Sequence, residues 1–130
     1  MFFNTAEKPS LSTGLLAILD DLLRHEPIFH RPEFPTAMAP DYWEVGASGR
    51  RYSREFILQT LADEPPVDAA VAGWQIFEPQ CQQLGEATYL LTYTLHQGDR
   101  ISRRTTIWRQ SPAGWQALFH QGTIVRSPPL

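Results

Sequence analysis

Two ionisable side chains interrupt apolar segments of this sequence, and either could move a proton. Glu44 follows Tyr42 and Trp43, and His120 follows Phe119. Apolar surroundings raise the pKa of a carboxylic acid, and an imidazole titrates near neutrality, so both are candidate catalytic groups. Each also has a structural interpretation. Glu44 could be a carboxylate that pairs with an arginine, and His120 could be a hydrogen-bonded residue of the core. Neither of these roles involves catalysis.

Asp41 and Arg104 extend this set of polar candidates. Asp41 follows Pro40, where it could act as a general base at the mouth of a pocket or could cap a turn. Arg104 could bind the carboxylate or phosphate of a ligand through its planar guanidinium. Arg104 could equally pair with Glu44, as could Arg50, and hold two strands together.

Aromatic residues make up 12% of the chain and include four tryptophans, which is a rich supply for a domain of 130 residues. Such side chains fill cores and line apolar pockets, and we expect two or three of them to line a cavity. With the polar candidates they form the predicted ligand-binding set: Tyr42, Trp43, Glu44, Tyr89, Arg104, Trp108, Phe119 and His120.

The sequence predicts neither a metal site nor a cofactor. His25, His30 and His96 lie at predicted helix ends and strand tips, and no spacing groups them with carboxylates or with each other. The single cysteine, Cys81, excludes an internal disulfide and is interpreted as a reduced structural thiol.

Charge and hydropathy patterning exclude several partners. The net charge of -3 gives no electrostatic footprint for nucleic acid. The basic cluster of Arg100, Arg103 and Arg104 is explained by a solvated strand face or by an internal ion pair. The longest apolar stretch is broken by Asp20 and Asp21, so no membrane span is predicted. The first residues lack the pattern of a secretory signal, and we therefore expect a cytoplasmic protein.

The first half of the sequence predicts two helices. Ser12 or Thr13 can cap the first, whose apolar stripe runs along one side until Pro27 ends it. Glu26 is an exception, because an acidic residue falls inside that apolar stripe. Three prolines then precede a predicted strand over residues 41–45, and a short helical turn is predicted over residues 36–39.

After a glycine-containing turn, Ser53 is predicted to cap the second helix. Its buried side would carry Ile57, Leu58 and Leu61, and the pair Pro65-Pro66 would stop it.

The second half predicts a β-meander, with strands over residues 70–78, 86–96, 101–110 and 115–125 joined by turns. The middle hairpin has a predicted register, listed here as facing pairs: Tyr89 with Trp108, Leu91 with Thr106, and Tyr93 with Arg104. The last hairpin is ambiguous by one residue. Either Phe119 or His120 shares the face of Trp108, because a slip of one residue reverses every side chain.

These elements make one α+β domain over residues 11–126, with a flexible arm over residues 1–10 and a short tail over residues 127–130. Two stretches of it carry a family resemblance. The first is Asp41-Tyr42-Trp43-Glu44-Val45-Gly46, Ala47-Ser48-Gly49-Arg50 and the Ser53-capped helix. The second is Arg104-Thr105-Thr106-Ile107-Trp108-Arg109, Gly114-Trp115 and Phe119-His120-Gln121-Gly122-Thr123. Over residues 12–125 they resemble the DUF4440-like group of the NTF2-like superfamily, also called SnoaL-like or cystatin-like.

The resemblance implies a cone, in which N-terminal helices pack in a curved antiparallel sheet around a cavity, and it implies a homodimer formed through the outer surface of the sheet. It does not imply an activity, since the superfamily holds isomerases, dehydratases, cyclases, hydrolases and non-catalytic association domains. The sequence departs from the ketosteroid isomerases, because its first helix offers no tyrosine donor. It also lacks a His-Asp dyad of the dehydratase kind.

Three functional hypotheses follow. The leading one is a cofactor-free homodimer whose cavity binds a small, largely apolar molecule, with Glu44, Arg104 and His120 as polar contacts. The second is an acid–base enzyme of isomerase, dehydratase or cyclase type that uses Glu44 or His120. The third is a non-catalytic homodimerisation module. No activity is assigned from the sequence.

Overall fold

The computed structural model describes residues 12–31, 33–34, 36–63 and 72–126. The predicted arm over residues 1–10 and tail over residues 127–130 lie outside the described residues, and the single-domain boundaries stay a prediction. The elements are, in chain order, α1 (Thr13–His25), β1 (Met38–Val45), β2 (Arg51–Ser53), α2 (Arg54–Asp63), β3 (Gln75–Gly85), β4 (Thr88–Gln97), β5 (Arg100–Ser111) and β6 (Gly114–Ile124). The predicted α+β class is confirmed.

The six described strands form one curved, unclosed sheet in the order β2-β1-β6-β5-β4-β3. The predicted meander is confirmed for β3 to β6, whose neighbours are all antiparallel. One pair departs from the antiparallel prediction, because β1 runs parallel to β6. A tight hairpin forces antiparallel pairing, whereas no turn joins β1 to β6 and their direction is set by the fold.

Both helix starts follow the predicted capping chemistry. The Ser12 hydroxyl oxygen accepts the Leu15 N–H at 3.1 Å, and the Ser53 hydroxyl oxygen accepts the Phe56 N–H at 3.1 Å. A serine at this position satisfies an N–H that the helix itself leaves unpaired. Helix α1 presents Leu22, which is fully buried, to the core. Burial of such a side chain contributes about 1.5–3 kcal/mol.

Strand β1 begins at Met38, three residues before its predicted start, and the predicted helical turn over residues 36–39 is wrong at 38 and 39. Long-range pairing explains the difference. The Ala117 N–H donates to the Ala37 carbonyl at 2.8 Å, so the chain is already aligned with β6 before β1 begins. The prolines on either side hide this partner from local pattern analysis.

The predicted boundaries of β3 are wrong as well. The strand runs from Gln75 to Gly85 instead of 70–78, where residues 70 and 71 lie outside the described part of the chain. Glu78 has a positive φ of 53°, and the register with β4 shifts between Phe77 and Gln80. A bulge on this edge strand accommodates Pro79 and breaks the alternation that pattern analysis needs.

The predicted register of the middle hairpin is confirmed in all three pairs. In the last hairpin His120 lies opposite Thr106, and the register shifts between Ile107 and Trp108. His120 therefore shares the inner, concave face with Trp108, while Phe119 lies opposite Ile107 on the outer face. The irregularity is why alternation alone left this choice open.

Candidate functional site

A cavity of about 430 Å³ opens between the segment that follows α1 and the inner face of β3 to β6. Its apolar lining includes Ile28, Phe29, Trp74, Ile76 and Leu95. Its polar and ionisable lining consists of Glu26, His30, Arg31, Tyr93, Arg104 and His120. A mostly apolar wall with a few convergent polar groups is the usual composition of a small-molecule site.

The segment over residues 26–31 is held over the sheet by turns and by one buried ring. After Pro27 the Ile28 N–H donates to the His25 carbonyl, and the Arg31 N–H donates to the Ile28 carbonyl. The Phe29 ring is buried and packs edge-on against Trp108, with 5.2 Å between ring centroids. Because this ring anchors the segment, its neighbours His30 and Arg31 are positioned at the cavity.

Glu26 lies at the floor of the cavity and is only 5% exposed. Its Oε2 accepts hydrogen bonds from the Tyr93 hydroxyl at 3.0 Å and the Thr106 hydroxyl at 2.9 Å, and its Oε1 accepts one from the Trp108 indole N–H at 3.1 Å. Burial raises the pKa of Glu26, although these three hydrogen bonds and the charge of His30 act in the opposite direction. One acidic residue thus joins α1 to β4 and β5.

His120 continues this network towards the cavity. Its Nδ1 lies 2.7 Å from the Thr106 hydroxyl, and its Nε2 lies 3.4 Å from Nη1 of Arg104. Because the Thr106 hydroxyl has one proton and donates it to Glu26, Nδ1 of His120 must carry the proton that Thr106 accepts. Nε2 is then the acceptor for Arg104. The hydrogen bonds run in one direction, from Arg104 through His120 and Thr106 to Glu26.

The imidazole of His120 is neutral at physiological pH. Burial, the charge of His30 and the charge of Arg104 lower the pKa of His120 to about 3, against the opposite effect of Glu44. Its Nδ1 lies 3.7 Å from Oε2 of Glu26. Because the imidazole is neutral, the contact between His120 and Glu26 is an interaction of a dipole with a carboxyl group and not an ion pair.

Glu44 lies behind the cavity wall, where it binds His30. Its Oε1 accepts the Tyr42 hydroxyl at 2.7 Å and lies 3.0 Å from Nε2 of His30. Burial alone would raise the pKa of Glu44, but the hydrogen bond and charge of His30 and the hydrogen bond from Tyr42 outweigh it and lower the pKa. These partners replace Arg104 and Arg50, which the sequence suggested.

The predicted site residues are brought together only in part. Arg104 and His120 line the cavity, while Tyr42, Glu44 and Trp108 lie directly behind its wall. The others lie elsewhere: Trp43 and Phe119 pack on each other with ring centroids 4.6 Å apart, Tyr89 packs on Trp115, and Asp41 is exposed.

Three members of the site were not predicted from the sequence, namely Glu26, His30 and Thr106. Glu26 did carry a signal, since an acid within an apolar helical stripe needs buried partners. His30 carried none, and the expectation that nothing groups it is wrong, because its ring contacts Glu44 and lies 6.2 Å from that of His120.

Among the described residues, no set of three or more His, Cys, Asp or Glu side chains is arranged to hold a metal ion. Neither described helix has the length and hydropathy needed to cross a bilayer.

Solved structures that share this architecture define its fold class. A protein of unknown function from the DUF3225 family of Pectobacterium atrosepticum is 15% identical, with a TM-score of 0.67, and the match covers 88% of this chain and 94% of that one. An NTF2-like protein of unknown function from Rhodospirillum rubrum is 18% identical, with a TM-score of 0.59 and 85% and 98% covered. A CaMKII hub from S. rosetta is 15% identical, with a TM-score of 0.62 and 91% and 100% covered.

The chain therefore has the NTF2-like fold, as the resemblance predicted. No protein-family model and no curated protein matches it. Its place in the DUF4440-like group stays a prediction. Sequence identities this low support a shared fold and nothing more.

Proposed function

We propose that this chain is an NTF2-like domain whose cavity binds a small, largely apolar molecule. The observation that carries the proposal is the cavity of about 430 Å³ between the segment over residues 26–31 and the sheet. This volume lies within the range of about 300–1,000 Å³ that is usual for ligand pockets. Side chains that fill a core would leave no such space, since protein interiors are close-packed.

Ligand binding is favoured over acid–base catalysis because of the pKa values and hydrogen bonds of the two proposed bases, Glu44 and His120. An efficient general base has a pKa near the working pH. The pKa of Glu44 is lowered and that of His120 lies at about 3, and both of their reactive edges already hold hydrogen bonds. An enzyme that uses either residue would have to rearrange this network first.

A compound that binds the cavity is expected to raise the melting temperature of the protein, because it binds the folded state alone. At a concentration of 100 times its Kd the gain is about 2.7 kcal/mol, or roughly 10 °C for a domain of this size. Screening small apolar compounds by thermal shift checks this. Ile76→Trp, which fills the cavity from β3, should abolish the shift, whereas Leu84→Trp at an exposed position of the same strand should retain it.

Two results count against the proposal. One is a screen in which no compound stabilises the protein. The other is a stabilising compound whose effect survives Ile76→Trp, since its site would then lie elsewhere.

We further propose that two copies of the chain associate through the outer face of the sheet. Four apolar residues face one another in a continuous row across β4, β5, β6 and β1, namely Leu90, Ile107, Phe119 and Trp43. Trp43 is 41% exposed. A row of this kind is typical of an association surface, and the similarity to a CaMKII hub supports the proposal.

Ile107→Arg places a charge at the centre of this row and is expected to convert a dimer into a monomer. Light scattering coupled to size-exclusion chromatography measures the mass directly. Gln59→Arg, at an exposed position of α2 outside the sheet, serves as the control and should leave the mass unchanged. A wild-type protein that is monomeric at high micromolar concentration contradicts the proposal.

A further inference from the structure

Arg104 enters the cavity with most of its hydrogen-bonding capacity unused. Its Nε donates to the Ser102 hydroxyl at 2.9 Å, and its Nη1 contacts Nε2 of His120 at 3.4 Å. A guanidinium has about five N–H donors, so roughly three remain. Both partners are neutral. Within the part of the chain that the structure describes, no carboxylate forms an ion pair with Arg104.

The carboxylates near the cavity are committed to other donors. Glu44 is held by His30 and Tyr42, and the oxygens of Glu26 accept three protein hydrogen bonds. A second guanidinium, that of Arg31, also lines the cavity, and its buried Nε has no hydrogen-bond partner. The lining therefore holds positive charge and N–H donors without matching acceptors, and a partly buried cation favours an anionic partner.

Gly122 makes room for the guanidinium. It faces Arg104 across β5 and β6 and is buried, and a Cβ at this position would lie 3.2 Å from both Cζ and Nε of Arg104. Such a contact is tighter than ordinary packing, so with any larger residue the guanidinium would have to shift by a few tenths of an ångström. The glycine lets the arginine lie flat on its neighbouring strand, while Ser102 and His120 fix its orientation from either side.

We propose that the cavity selects a small organic carboxylate, which Arg104 binds through its free N–H groups, and that Gly122 is the residue that positions Arg104 for this contact. The inference rests on the proposed function and adds the class of ligand. The acid group meets the guanidinium, and the apolar body lies against Ile76, Leu95 and Trp74. The walls formed by Ile76, Leu95 and Trp74 offer a charge no partner, so we expect the body of the ligand that lies against them to be apolar.

Matched pairs of acid and amide separate this inference from the function on which it rests. Hexanoate and hexanamide, or phenylacetate and phenylacetamide, share an apolar body and differ in charge. Isothermal titration of the wild-type protein should give about tenfold or more tighter binding for each acid, because hydrogen bonds between charged groups are the stronger ones. Arg104→Met should remove that preference and leave weak binding of the amide.

Two further variants make the test specific. Arg103→Met removes an exposed arginine of the same strand, on the outer face, and should keep the acid preference. Gly122→Ala should weaken acid binding by about tenfold and leave amide binding unchanged, since it displaces the guanidinium alone. If Arg104→Met folds poorly, the Gly122→Ala variant still tests whether Arg104 causes the preference for the acid over the amide.

The outcomes are distinct. Equal binding of acid and amide, or an acid preference that survives both Arg104→Met and Gly122→Ala, overturns the inference while the ligand-binding proposal stands. If neither member of any pair binds, the ligand-binding proposal and this inference fail together.

Discussion

Glu26→Leu is expected to lower the free energy of unfolding by about 3–5 kcal/mol, a large fraction of the stability of a small domain. Leucine has a similar volume, so packing changes little. What is lost is the acceptor for three buried donors: the Tyr93 hydroxyl, the Thr106 hydroxyl and the Trp108 indole N–H. Each buried donor left without a partner costs about 1–3 kcal/mol, partly offset here because the carboxyl no longer has to be desolvated. Urea unfolding measures the difference.

The control variants separate the hydrogen bonds from the change in polarity. Glu26→Gln keeps one oxygen acceptor, which can serve Tyr93 and Thr106, and should cost only about 1–3 kcal/mol. Glu86→Leu introduces the same apolar residue at an exposed turn position and should stay within about 0.5 kcal/mol of wild type. If Glu26→Leu is as stable as the wild-type protein, the carboxylate does not hold α1 to the sheet.

The case of Glu26 shows what local sequence could and could not predict. Its place in the apolar stripe of α1 marked Glu26 as an exception in the sequence but did not identify its partners. Its three partners lie 67, 80 and 82 residues further along the chain. No local pattern links residues that far apart, and only the curvature of the sheet over the helix brings them together.

The strand registers also differ in whether local sequence could predict them. Alternation on both sides of a tight turn fixed the pairing of β4 with β5, because Gly98, with φ of 65°, allows a hairpin that leaves no residue unpaired. The pairing of β5 with β6 contains an irregularity between Ile107 and Trp108. An irregularity of one residue depends on packing across the sheet, and periodicity is blind to it.

The residues of the site likewise include some that the sequence identified and some that it did not. Arg104 and His120 could be named as candidates because each is an ionisable residue within a predicted strand, although the face of the sheet that carries His120 stayed open. His30 could not, because it lies among prolines, where the chain has no period, and it meets Glu44 only once Phe29 is anchored in the core. The irregular segment was therefore hard to predict, although one strand residue of the site, Thr106 on β5, was missed as well.

Acidification is expected to unfold the wild-type protein partly through His120. Folding lowers the pKa of this histidine from 6.5 to about 3, so between these values the unfolded chain binds a proton that the folded chain does not. Stability from this group is present above pH 6.5 and is lost as the pH falls towards 3, by at most about 5 kcal/mol. The groups that face the imidazole are Glu26, His30, Glu44 and Arg104. Glu44 also contributes stability that is lost as the pH falls, because its pKa is lowered on folding.

A comparison with His120→Asn isolates the contribution of the histidine from that of Glu44. The asparagine amide can donate to Thr106 as Nδ1 does, and it does not titrate. Wild type should therefore lose more stability than His120→Asn between pH 7 and pH 4, as measured by urea unfolding at each pH. Nitrogen NMR of the ring should show a neutral imidazole protonated on Nδ1 throughout that range. A ring that instead takes up a proton near pH 6.5 in the folded protein contradicts the directed chain from Arg104 to Glu26, because Nε2 could then no longer accept from the guanidinium.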